Sequence, residues 1–246
     1  MKNKNILIGA IVLIIVLIAG ISIYNITKPN DFILYEEETS NAENTLTTLE
    51  NLNYFTENTE YKDANGETVN IPKDFAVSTR NGENIISNGL VIIDKNLNEF
   101  VYIPNGKFFI SRFEICGETQ KIGEEITTLN DIISKQNNLP VIQINIANLE
   151  KILKDSSYTI PTSSEYEEVL KFAGISFEDK DLEYMKNNTK ASKKTGIVLK
   201  DYTKNIANLN DNLYECTKDN FVYGYNAKVK LENVNVSVVT TRLILK

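Results

Sequence analysis

The sequence predicts an α+β domain built on antiparallel strands, carried behind one N-terminal transmembrane helix. Three observations predict it. Candidate strands come first, then helices, then strands again, without the strand–helix alternation of a parallel sheet. The strands are short and separated by turn signals such as Asp63-Ala64-Asn65-Gly66 and Asp94-Lys95-Asn96. Finally, Ile6 to Tyr24 is an uncharged, almost wholly apolar run. About 20 helical residues cross a bilayer core of about 30 Å.

The apolar run sets the domain plan: a tip at 1–5, an anchor at 6–26, a stalk at 27–60 and a domain at 61–246. A soluble helix of this length would show a polar face, which is lacking here. A cleaved signal peptide is the alternative, but the run is long for that role and no small-x-small site follows. Lys2 and Lys4 precede the span and Lys28 follows it, which places the N-terminus in the cytoplasm and the domain outside the cell membrane. In the stalk, Glu36-Glu37-Glu38 is a solvated run. Leu46, Leu49, Leu52 and Phe55 recur at spacing three, the pattern of a short amphipathic helix suited to packing on a second copy.

Composition excludes several functions. The chain of 246 residues has no histidine and no tryptophan. The commonest general base and transition-metal ligand is therefore missing. Net charge is −7; all 33 acids but only 23 of the 26 bases lie beyond residue 30, leaving −10 there. Such a surface repels phosphate backbones, so no nucleic-acid partner is expected. No P-loop or dinucleotide glycine motif is present, so no nucleotide is expected either. Cys116 and Cys216 fit no zinc or redox spacing; they form one extracellular disulfide or stand as two buried thiols.

Along the domain, the Asn-Gly of 65–66 suits a type I′ turn leading into a strand at Thr68–Ile71. Gly89–Ile93 and Glu99–Ile103 make a hairpin, and Lys107–Ile115 a further strand. Ile126, Leu129, Ile132 and Ile133 share a helix face. Asn145 caps a helix whose Ile146, Leu149, Ile152 and Leu153 face inward. Thr162-Ser163-Ser164-Glu165 is a capping box for a third helix, with Tyr166, Val169, Leu170 and Ala173 inward and Gly174 at its end. Lys190, Lys193 and Lys194 fall in a solvated loop. Strands follow at Gly196–Leu199, Leu213–Cys216, Phe221–Tyr225 and Val234–Leu245. Asn208 to Thr217 gathers oxygen-bearing side chains at 208, 210, 211, 212 and 215. Calcium takes six to eight oxygens from carboxylates, Asn side chains and carbonyls, so the stretch reads as a hard-cation site.

Several of these segments, in this order, resemble the formylglycine-generating enzyme (sulfatase-modifying factor) family. Its central helix typically begins Arg-Leu-Pro-Thr-Glu-Ala-Glu-Trp-Glu; Thr159-Ile160-Pro161-Thr162-Ser163-Ser164-Glu165-Tyr166-Glu167 stands in that place. Phe113-Glu114-Ile115-Cys116 is similar to a family strand ending in Glu-Val-Thr, and Pro140-Val141 with Asn145 to a Pro-Val segment before a capped helix. Asp211-Asn212-Leu213-Tyr214-Glu215-Cys216-Thr217 echoes Gly-Asn-Val-Trp-Glu-Trp-Thr, and Thr240-Thr241-Arg242-Leu243 echoes a closing Gly-Phe-Arg-Leu. Ile71–Phe75 and the hairpin after it resemble the front of small Gram-positive and prophage-type members. The resemblance runs from about Ile71 to Lys246 and implies a C-type-lectin-like fold.

What it implies about chemistry is mostly loss. The family's oxidases use a C-terminal cysteine pair for copper, and no cysteine follows Cys216. The iron-binding relatives use histidines. No copper or iron is therefore expected. A structural calcium is implied on Asn208, the carbonyls of Asp211 and Leu213, and Glu215. Cys116 and Cys216 fall at corresponding points of two central family strands, which makes a disulfide between them one hypothesis and buried thiols the other. Tyr214, Phe221, Tyr223 and Tyr225 offer either an aromatic platform or a strand half in the core. Glu165, Glu167 and Glu168 could pair as catalytic acids, 165 and 168 lying near each other on a helix, but the capping role already explains Glu165; Ser163 and Ser164 have no histidine to activate them.

The expectation is a single-pass membrane protein whose extracellular domain binds or displays without catalysis. Its partners are the membrane and an extracellular protein or glycan, with self-association through the stalk. One alternative is a degenerate formylglycine-generating-type enzyme working through Cys116 or Cys216. Another is a structural subunit of a cell-envelope complex that uses the anchor and the Leu46-Leu49-Leu52 face.

Overall fold

A computed structural model describes residues 52–116, 128–129, 132, 140–176, 202–209, 213–224, 227–234 and 239–245. The expected anchor, Leu46, Leu49, the lysine loop and the strand at 196–199 lie outside them. So does the helix expected near 126–133, apart from Thr128, Leu129 and the buried Ile132. Among the described residues, no helix is long and apolar enough to cross a membrane.

The architecture is the expected α+β type, rich in antiparallel strands, with two α-helices among the described residues. In chain order the elements are β1 (Thr59–Lys62), β2 (Thr68–Ile71), β3 (Phe75–Val77), β4 (Val91–Asp94), β5 (Glu99–Ile103), β6 (Phe108–Ser111) and α1 (Ile146–Leu153). Then come β7 (Tyr158–Thr159), α2 (Ser163–Ala173), β8 (Tyr202–Thr203), β9 (Ile206–Ala207), β10 (Tyr214–Cys216), β11 (Phe221–Gly224), β12 (Ala227–Lys230), β13 (Val239–Thr240) and β14 (Ile244–Leu245). A six-stranded sheet runs β3-β4-β5-β6-β14-β7, all neighbours antiparallel. A four-stranded sheet runs β12-β11-β10-β13, where β10 and β13 are parallel.

The strand alternation sorts side chains onto two faces of the larger sheet. Val101, Ile103, Ile110 and Ile244 join Tyr166, Val169, Leu170 and Ala173 of α2 in the core. On the other face Phe100 meets Phe75 edge-on and stacks on Tyr158, with ring centroids 5.9 and 5.3 Å apart. Tyr102 leans on Phe109 at 5.0 Å. The helices are placed by the signals read in the sequence. Asn145 Oδ1 accepts the Asn148 amide at 3.1 Å. The Thr162–Glu165 box is closed in both directions, and Gly174 ends α2 at φ 72°. Asp219 adds a second cap by accepting the Ser163 amide at 2.7 Å.

Three hairpin turns share one construction. In Asp63–Glu67, Asp94–Asn98 and Thr217–Phe221, a side-chain oxygen of the first residue accepts the amide of the fifth. The fourth residue is left-handed: Gly66 at φ 85°, Leu97 at 66° and Asn220 at 63°. This corrects the type I′ turn expected at Asn65-Gly66. Asp63 also accepts the Asn65 amide at 2.9 Å, an Asx turn that holds Asn65 out of the left-handed region. The paired positive φ values of a type I′ turn occur instead at Lys204 and Asn205, between β8 and β9. Asn205 Nδ2 donates to Gly89 O at 2.8 Å, and a Cβ on Gly89 would lie 2.1 Å from Lys204 O. Only glycine admits that approach.

Two further expectations change. The domain was expected to start at 61, but β1 straddles that boundary. Upstream of it, Phe55 exchanges backbone hydrogen bonds with Asp74 and Phe75, at 2.8 and 2.9 Å. Leu52 packs on the core. Leu52 and Phe55 thus belong to the domain and are not helical. The strand expected over Val234–Leu245 is divided: β13 and β14 belong to different sheets, and Thr241-Arg242-Leu243 carries the chain between them. The reason is Arg242, a charge that the buried segment must surround with oxygens.

Candidate functional site

Arg242 is the largest fully buried side chain among the described residues. Its guanidinium has five N–H donors, and each is spent. Nε and Nη2 donate to Glu215 Oε2 and Oε1, both at 2.7 Å. Nη2 also meets Ala207 O at 2.5 Å, and Nη1 meets Arg112 O at 2.6 Å and Ser111 O at 3.3 Å. Burial alone would lower the arginine's pKa; the charge and hydrogen bonds of Glu215 together with the charge of Glu114 outweigh it and raise the value above the usual range. Tyr166 Oη donates to Glu215 Oε2 at 2.7 Å, and burial followed by the Glu215 charge pushes that phenol well up. Glu114, also buried, lies 4.0 Å from Arg242 Nη2 and accepts from Asn208 Nδ2 at 3.3 Å.

Two of the residues expected to hold calcium, Asn208 and Glu215, are therefore employed otherwise. Asn208 and Glu215 are buried near one arginine, Leu213 is buried in the core, and Asp211 lies outside the described residues. Glu215 gives both oxygens to a guanidinium and a phenol. A calcium ion on that carboxylate would need to displace Arg242 or accept a fixed positive charge beside it. Asn208 turns its amide nitrogen, a donor, toward Glu114. Glu215, engaged in this way, does not fit a calcium ligand. The segment does hold a cation, and the cation is the protein's own. Among the described residues, no group of His, Cys, Asp and Glu is arranged to hold a metal.

Cys116 and Cys216 are two buried thiols, not a bridge. Thr241 stands between their strands: its carbonyl accepts the Ile115 amide at 3.0 Å and its hydroxyl donates to Cys216 O at 2.7 Å. Two strand spacings of about 4.8 Å exceed the roughly 7 Å that a disulfide spans between Cα atoms. Cys116 Sγ is 3.0 Å from Glu114 O, and burial pushes the Cys216 thiol up to about 12. Neither is a nucleophile in this state.

The remaining candidates are absorbed by packing. Tyr214 and Tyr223 are buried, Phe221 is half-buried beneath Lys228 at 4.4 Å, and Tyr225 lies outside the described residues. Tyr214, Phe221 and Tyr223 form no open platform. Glu165 closes the cap, while Glu167 accepts from Tyr223 Oη at 3.0 Å and Lys228 Nζ at 2.7 Å. Ser163 Oγ donates to Asp219. Glu168 lies 3.9 Å from Lys171.

Sequence reasoning missed a second ionic cluster, Arg80, Glu83, Glu99 and Arg112. Arg112 reaches Glu83 at 2.8 Å and Glu99 at 2.7 Å; Arg80 reaches Glu83 at 3.2 Å and Glu99 at 3.0 Å. Its signal was available: Glu99 and Arg112 sit inside apolar strand segments, where a charge requires a partner. Also missed was a half-open groove of about 660 Å³ between the β1–β2 hairpin and the outer face of the six-stranded sheet. Asn58, Asn70, Lys73, Tyr102, Lys107 and Ser157 are among its walls.

Comparison with protein-family models, with curated proteins and with solved structures returns no match to this chain.

Proposed function

We propose that this chain is a membrane-anchored binding module whose domain faces the outside of the cell and performs no catalysis of its own. The observation that carries this reading is a division of labour among the polar groups. Those at the centre, where the family resemblance implies chemistry or metal, are spent on one another: Glu215 on Arg242 and Tyr166, with both thiols buried. Those around the groove are exposed and face solvent, as binding groups do. The apolar run at Ile6 to Tyr24 and the lysines before it support the anchor and its orientation.

The test is cross-linking of the full-length protein in its own membranes, followed by capture. The expected result is a component of the envelope recovered with the membrane fraction. A thiol-alkylation assay on the same sample is expected to leave Cys116 and Cys216 unmodified until the protein is denatured. Rapid alkylation of either native cysteine, together with oxidation of a Cys-containing peptide, would replace this reading with the degenerate enzyme.

A further inference from the structure

We infer that the groove beneath the β1–β2 hairpin binds an acidic glycan, a pyranose chain bearing carboxylates. This deepens the binding-module reading and rests on it. A volume of about 660 Å³ lies within the range of about 300–1,000 Å³ common for ligand sites. The choice of ligand follows from what the walls offer.

The walls offer donors. Asn58 gives one lone pair of its carbonyl oxygen to the Lys73 amide at 2.9 Å, which leaves its two N–H donors for a ligand. Lys73 and Lys107 are exposed, and their ammonium groups can only donate. The carboxylate nearest Lys73 in sequence, Asp74, is held by Lys95. Thr68, Asn70 and Ser157 add exposed hydroxyl and amide groups. Glu60 is the one acid in the lining against two lysines, so the charged lining has one positive charge in excess on a chain whose net charge is −7. A positive, donor-rich cleft on an acidic protein selects ligands that are anionic and rich in acceptors.

The floor suits a sugar ring. Tyr102 is half-buried against Phe109 and offers a ring face on which a pyranose can stack. The apolar lining residues Val69, Ile71, Phe75, Phe109 and Leu245 are buried and Pro72 is half-buried, so beside Tyr102 the floor mixes apolar and polar surface, as a sugar ring requires. Among the described residues the exposed large hydrophobic is Leu97, which is not in the groove. Lys107 also borders a smaller hollow of about 360 Å³ with Glu165 and Glu168, but the first of these is committed to the α2 cap and the second lies beside Lys171.

The experiment titrates the full-length protein, purified in detergent micelles, with oligogalacturonate. A neutral oligosaccharide of the same length and poly(glycerol phosphate) are the comparisons. Saturable binding of oligogalacturonate that weakens with salt is expected, with both comparisons at least about tenfold weaker. K73Q and K107N should each lose about tenfold, the loss of one charged hydrogen bond. Position 107 sits at φ 55°, a conformation asparagine tolerates, so K107N removes the charge without backbone strain. Y102A should lose the interaction and Y102F retain most of it. Oligogalacturonate binding that is absent from the folded native protein, or unchanged in K73Q, K107N and Y102A, overturns the proposal, as does equal or tighter binding of poly(glycerol phosphate). If those variants still capture the envelope component, the groove is wrong and the binding module stands. If the native chain captures none, the module itself falls.

Discussion

Two arginine–glutamate clusters hold this domain, and they solve different problems. At the centre, one guanidinium faces two carboxylates; the side chains of Arg242 and Glu114 are 0% exposed and that of Glu215 2%. At the edge, two arginines and two glutamates alternate, and the side chain of Arg80 is 23% exposed. The edge cluster joins residues 80 to 112, a single meander. The central one joins Ser111, Arg112, Tyr166, Ala207, Glu215 and Arg242, drawn from across the domain. Arg112 belongs to both, giving its side chain to the edge and its carbonyl to the centre. The same ion-pair chemistry fastens neighbours in one place and specifies long-range partners in the other. A buried pair gains little over well-packed apolar residues, so its value lies in which segments it forces together.

The largest expected effect breaks the centre. R242M leaves Glu215 and Glu114 buried without their cation and should cost about 3–5 kcal/mol. R242K restores charge but has three donors where five are used, and should recover only part of that loss. Urea denaturation of the three proteins measures both. A cost below about 1 kcal/mol for R242M would mean the two clusters do not differ as argued.

The edge is best broken with acid. Burial of Glu99 raises its pKa, but hydrogen bonds from Arg80 and the charge of Arg112 more than offset this and hold it below the usual carboxylate range. A pKa lower in the fold than in the unfolded chain stabilises the fold above the unfolded value. That contribution is lost as pH falls through the folded value. E99Q should therefore be less stable at neutral pH by about 1.5–3 kcal/mol, the scale of a charged hydrogen bond. Its urea midpoint should also fall less steeply than the native one below about pH 5. Parallel curves would remove Glu99 from the acid response.

What the sequence made legible follows from range. The Thr162–Glu165 box, the Asn145 cap, the inward face of α2 and the β4–β5 hairpin are contacts within a few residues, and they were readable as patterns. Glu215 was readable as an oxygen ligand, but its partner is 27 residues away and nothing local names it. An oxygen-rich turn looks the same whether it encloses calcium or a guanidinium. The type I′ turn was misplaced for a nearer reason: Asp63 competes for the Asn65 amide, whereas Lys204-Asn205 carries no glycine to signal it. The groove was invisible because its walls come from β1, β2, β5 and β6 together.

A substitution that touches neither cluster sets the scale. Leu97 occupies the left-handed position that Gly66 and Asn220 fill in the two equivalent turns. A leucine there carries about 1 kcal/mol of strain or more, which asparagine relieves in part. L97N should raise stability by about 0.5 kcal/mol, and its side chain is exposed, so no packing is lost. A loss in that variant would show that Leu97 is held by a contact at the hairpin tip.

The smallest expected effect is the sharpest test of the centre. If Arg242 is the cation of Glu215, calcium added to metal-free protein has no carboxylate to claim there, and the melting temperature should not move. Binding to the fold alone would stabilise it by RT ln(1 + [L]/Kd), about 2.7 kcal/mol at one hundred times Kd, which a melting curve resolves easily. Two arms separate the sources of any shift. A rise that survives E215Q would come from oxygens elsewhere and leave the central pair as described. A rise abolished by E215Q would mean that the glutamate has two competing cations, and the contrast between a closed centre and an open edge would fail. R242M supplies the converse: with the guanidinium gone, Glu215 and Glu114 are two buried carboxylates lacking their arginine, and calcium should then stabilise the variant where it leaves the native protein unchanged.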